Sequence, residues 1–81
     1  MNDLLLKRPW VRSIIVAAIR DAFLSAGGVA GFGDLVVTHL ETQATVVEGD
    51  DGELRVVATN GQAIGSLIAK LKNERPRLFA G

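Results

Sequence analysis

The side chains able to do chemistry are few. The 81 residues include one histidine, no cysteine and no tyrosine, a thin stock of general acids, bases and nucleophiles. His39 lies in an apolar stretch with Glu41 close by. A metal ligand or proton shuttle could use that pair, but a partly buried helix histidine explains it with fewer assumptions. Ser13, Ser25 and Ser66 stand in no context that resembles a nucleophile elbow. No catalytic triad and no cofactor are expected, and the chain reads as non-enzymatic.

Other clusters invite a ligand and then fail on spacing. Glu48, Asp50, Asp51 and Glu53 surround one point in the chain. A calcium loop sets its ligands at alternate positions and ends on a bidentate Glu, which this run does not do, so these read as solvated turn carboxylates. The glycine-rich run over residues 27–33 suggests a phosphate cradle. Such a loop follows a strand and, in the Walker form, leads into Lys-Ser or Lys-Thr; here a helix precedes and Asp34 follows. Gly28-Val29-Ala30-Gly31 has the outline of a loop that clamps RNA backbone, but carries no basic residue to meet phosphate. Gly61 and Gly65 share a small-residue spacing that fits close helix packing. Arg55, Lys70, Lys72, Arg75 and Arg77 could contact phosphates, yet no aromatic residue is interleaved for base stacking. With a formal net charge of zero, nucleic acid is not an expected partner.

The elements that must position these residues show in the apolar periodicity. Pro9 suits a first helical turn, and a helix is expected from there to Ala26. Its stripe is Val11, Ile15, Ala18, Ala22 and Ala26, flanked by Ile14 and Ile19, with Gly27-Gly28 as terminator. Trp10, Val16, Ala17 and Leu24 lie off that stripe among Arg12, Ser13 and Arg20. A helix apolar on more than one face is buried on more than one face, which points to a partner or a homo-oligomer formed through this helix. Asp34 is placed to cap a short second helix through Leu35, Val36, His39 and Leu40, while Val36-Val37-Thr38 would also suit a strand. A β-hairpin is expected from residues 44–48 and 54–59 around the turn Asp50-Asp51-Gly52. Ile64, Leu67, Ile68 and Leu71 then mark a final helix with Lys70, Lys72 and Asn73 facing out, ending before Pro76. The expected fold is a two-layer α+β single domain over residues 1–81, with residues 1–8 flexible and residues 76–81 a C-terminal tail.

Bulk properties bound the class. Apolar residues make up 48% of the chain and the mean hydropathy is +0.28, high for a domain whose size allows only a marginal core. Without cysteine, disulfides cannot make up the difference, and a partner can. The longest apolar stretch, residues 14–19, falls far short of the roughly 20 residues that span a bilayer. Lys7 and Arg8 before an apolar middle imitate a signal peptide, but Arg12, Arg20 and Asp21 interrupt it. A cytoplasmic location without a membrane partner is expected. Charge is segregated: Asp34, Glu41, Glu48, Asp50, Asp51 and Glu53 follow one another with no Lys or Arg between them, while Lys70, Lys72, Arg75 and Arg77 gather at the end. The two groups either neutralise each other, within the fold or between copies, or leave a basic tail for an acidic partner.

The second half has a recognisable order. An acidic-tipped hairpin, Glu48-Gly49-Asp50-Asp51-Gly52-Glu53-Leu54-Arg55-Val56-Val57, leads to Asn60-Gly61, then to Leu67-Ile68-Ala69-Lys70-Leu71-Lys72 and the ending Pro76-Arg77-Leu78-Phe79. Together with Ala26-Gly27-Gly28, Leu35 and His39-Leu40, this resembles the C-terminal region of tailed-phage capsid-assembly scaffolding and head-morphogenesis proteins, over roughly residues 22–79. The resemblance implies reversible binding to a coat or other head protein in the host cytoplasm. The final helix and a Leu78-Phe79 anchor would make the contact, ringed by charge. The residues assigned to partner binding are Trp10, Leu67, Lys70, Leu71, Arg75, Leu78 and Phe79; core packing is the competing role for Leu67, Leu71, Leu78 and Phe79. A small phage or plasmid regulator that binds and inhibits a host protein is the alternative class.

Overall fold

Three helices and one antiparallel hairpin make up the computed structural model, which describes residues 9–79. The order is α1 (Pro9–Ser25), a 3-10 turn (Ala30–Phe32), α2 (Gly33–Leu40), a 3-10 turn (Glu41–Gln43), β1 (Ala44–Glu48), β2 (Leu54–Ala58), α3 (Ile64–Glu74) and a last 3-10 turn (Pro76–Leu78). This is the α+β arrangement expected. The flexible lead assigned to residues 1–8 lies outside the described residues. No helix among the described residues is long and apolar enough to cross a membrane.

In α1 the buried row is Val11, Ile15, Ile19 and Phe23, each four residues from the next. The expected stripe through Ala18, Ala22 and Ala26 is therefore corrected: those alanines are only half-buried. Turning the helix to sink Ile19 and Phe23 removes more apolar surface from water than sinking alanines would. The helix ends in two linked hydrogen bonds, Gly28 N–H to the Phe23 carbonyl at 2.8 Å and Gly27 N–H to the Leu24 carbonyl at 3.1 Å. Gly27 takes φ +94° to make them, the left-handed conformation that closes helices in this way.

Two ion pairs lash α2 and the 3-10 turn after it to α1. Arg20 donates to Asp34 near the C-terminal end of α1, and Arg12 donates to both carboxylate oxygens of Glu41 near its N-terminal end, at 3.1 and 3.4 Å. The helices therefore run antiparallel, with Val36, Val37 and Leu40 buried on α2. That burial overrides the strand preference of Val36-Val37-Thr38. Asp34 is not the cap: Phe32 holds that position without a side-chain bond. Asp34 instead lies in the first turn, where a negative charge suits the helix's positive end.

The hairpin pairs Ala44 with Ala58 and Val46 with Val56. Alternation directs Ala44, Val46 and Ala58 into the core. Its turn is built by the acids. Asp51 Oδ1 accepts the Glu53 N–H at 3.0 Å, Gly49 N–H reaches the Glu53 carbonyl at 2.8 Å, and Gly52 takes φ +81°. After β2, Asn60 Oδ1 accepts the Gln62 N–H at 3.1 Å, turning the chain into α3, which buries Ile64, Ile68 and Leu71.

The C-terminal segment corrects the sequence reading most. Within the expected tail Pro76 and Arg77 are exposed, but Leu78 and Phe79 are only 9% and 5% exposed and belong to the core. The Phe79 ring meets Phe23 edge-on, with centroids 5.1 Å apart and planes at 67°. Val29 N–H donates to the Leu78 carbonyl at 2.9 Å, and Gly28 pairs with Phe79 as an isolated β-bridge. Two side chains this apolar gain more from the core than from water.

Candidate protein-binding surface

Of the residues assigned to partner binding, the structure leaves Trp10, Lys70 and Arg75 exposed, half-buries Leu67 and buries Leu71, Leu78 and Phe79. The Leu78-Phe79 anchor is therefore withdrawn, and Leu71 with it. Trp10 is exposed in the first turn of α1. Lys70 borders a shallow hollow with His39, Gln43 and Leu67. Arg75 and Leu78 line a larger surface feature.

That feature is a groove of about 460 Å³ between the 3-10 turn that precedes α2 and the 3-10 turn that follows α3, lined by Phe32, Glu74, Arg75, Pro76, Arg77 and Leu78. Leu78 forms part of its lining while anchored in the core. Arg75 and Leu78 also line a small adjoining hollow with Leu35 and His39, so the surface continues onto α2. Phe32 is 39% and Leu35 57% exposed, two of the four large apolar residues left in solvent among those described. Sequence reading assigns neither to a surface. Leu35 shares the apolar row read for α2, yet an eight-residue helix buries one narrow face, and Val36, Val37 and Leu40 occupy it. No local signal in the sequence marks which flank stays open.

The charged residues lining the groove are Glu74, Arg75 and Arg77. Among the described residues, Arg75, Arg77 and Lys70 take part in no ion pair, nor do the turn carboxylates Glu48, Asp50, Asp51 and Glu53. Among the described residues, Glu41 and Asp34 are the acids held in ion pairs. Lys72 faces out, as expected, and also serves structure. Its Nζ donates to the Ala26 carbonyl at 3.3 Å and lies 5.7 Å from the centroid of the Phe79 ring, a cation at the negative end of α1.

The remaining candidates resolve into architecture. His39 is exposed on α2 rather than partly buried. No group of three or more His, Cys, Asp and Glu side chains among the described residues could hold a metal ion. In the glycine-rich run, a Cβ on Gly28 would lie 2.5 Å from three carbons of the Phe23 ring, so the missing side chain makes room for an aromatic ring. No family model matches the chain, and no curated protein or solved structure matches it.

Proposed function

We propose that this chain is a protein-binding module that works without catalysis, seating an acidic segment with an apolar anchor in the groove between Phe32 and Arg77. The observation that carries the proposal is the exposure of Phe32 and Leu35 beside two arginines that have no ion pair among the described residues. A large aliphatic or aromatic side chain would fill the apolar floor, and carboxylates would meet Arg75 and Arg77 in fork geometry. Arg75 thus keeps the role assigned from the sequence, while Phe32 and Leu35 replace Leu78 and Phe79 as the apolar contacts. The resemblance to head-assembly proteins makes a phage coat protein the first partner to try.

Selection of a random peptide library on the immobilised protein tests this reading. Enriched peptides should combine Asp or Glu with a large apolar residue. Leu35→Asp and Arg75→Ala should each weaken binding at least about tenfold, as expected at ~1.4 kcal/mol per decade for residues of an interface centre. Added salt should weaken it further. Thermal melts of the two variants should match the parent, because both side chains are exposed. Peptides that bind equally well to Leu35→Asp would sink the groove as the site.

A further inference from the structure

The solvent face of α1 carries a second surface. Trp10 and Leu24 are 43% and 45% exposed, and Ser13, Ala17 and Asp21 between them are exposed as well. Their spacing is 3, 4, 4 and 3 residues, so all five lie on one side of the helix, opposite Val11, Ile15, Ile19 and Phe23. The pattern is also symmetrical about Ala17: a large apolar residue at each end, a polar residue inside each end, and the smallest side chain at the centre. Ser13 and Ala17 leave a shallow hollow in the surface of α1 between Arg12 and Arg20.

We infer that this face takes a second copy of the chain, the two α1 helices packing antiparallel about a two-fold axis at Ala17. A surface with this symmetry is its own complement. The axis places Trp10 over Leu24 of the other copy at both ends, and Ala17 against Ala17 at the crossing, where small side chains permit close approach. Charge decides the direction. Parallel pairing would stack Asp21 on Asp21, whereas antiparallel pairing sets Asp21 opposite Ser13 and separates the two carboxylates by about 12 Å along the axis, at 1.5 Å per residue. A single helix face is smaller than the ~1,600 Å² standard interface, so the dimer is expected to be weak and reversible. This surface is distinct from the groove.

The sequence supplies its own reporter and a clean background for crosslinking, with one tryptophan and no cysteine. Sedimentation of the full chain from micromolar to millimolar concentration should show a monomer–dimer equilibrium, with Trp10 emission shifting to the blue as dimer forms. Ala17→Glu should remain monomeric, with unshifted emission and an unchanged melt, since Ala17 is exposed and Glu is a good helix former. Under oxidation, Ala17→Cys should crosslink readily. Asp21→Cys should not, because a disulfide needs Cα atoms within about 7 Å. A parent monomeric up to millimolar concentration overturns the inference. A dimer that persists in Ala17→Glu overturns it too, as does crosslinking of Asp21→Cys as fast as Ala17→Cys. None of these failures touches the groove, whose test reads peptide binding and not self-association.

Discussion

Gly28 illustrates how a single atom can decide a local structure. Its Cα passes so close to the face of Phe23 that an added methyl would lie 2.5 Å from Cδ1, Cε1 and Cζ. Phe23 is fully buried and wedged against Phe79, so the ring has nowhere to retreat. Gly28→Ala should cost about 1–3 kcal/mol, the range for overpacking a core. At Gly31, three positions on, an added methyl would meet nothing within 4 Å, and the backbone has no positive φ. Gly31→Ala should stay within about 0.5 kcal/mol of the parent. Urea denaturation of the pair separates a packing requirement from a general demand for loop flexibility. If both variants melted like the parent, the close approach at Phe23 would be refuted.

At the scale of elements, the last four described residues act as a clasp. The turn Pro76–Leu78 delivers Leu78 and Phe79 to the end of the core left open by α1 and α3. Lys72 ties the same corner to the end of α1 through the Ala26 carbonyl. Phe79→Ala should cost about 3–5 kcal/mol, a large share of the roughly 5–15 kcal/mol that holds a typical domain together. Deleting residues 76–81 should abolish the cooperative thermal transition followed by circular dichroism. A surface anchor would behave oppositely, losing partner binding while the melt stayed in place. Retention of a parental melting temperature after the deletion would restore the tail as a binding element.

For the whole molecule, the distribution of burial predicts where the structure opens first. Ile15, Ile19 and Phe23 on α1 and Ile68 on α3 lie at the centre of one connected apolar cluster. Their amides should exchange with solvent only through global unfolding. Asp50 and Asp51 sit exposed at the tip of the hairpin turn, and their amides should exchange far faster than those of the core. Hydrogen exchange followed by NMR would show this ordering. Equal protection at the turn and in α1 would mean that the hairpin is braced by contacts beyond those of the described residues.

The order of elements and most of their ends are legible in the chain, because short-range chemistry controls them. Pro9, Gly27, Gly52 and Gly61 impose backbone conformations that their neighbours cannot avoid, and the apolar period of α3 has one reading. The binding surfaces are less legible. Trp10 and Arg75 stand out in the sequence and are exposed; Leu71, Leu78 and Phe79 stand out equally and are buried. Phe32 and Leu35 carry no such signal, yet they reach solvent. The apolar members of this group are plausible in either role, since a large apolar side chain has the same local propensity inside a core as at its edge. Which face of α1 turns inward, and whether the chain end folds back, depend on the volume left between elements distant in sequence. Those are comparisons of buried area between whole packings, and only the tertiary structure makes them.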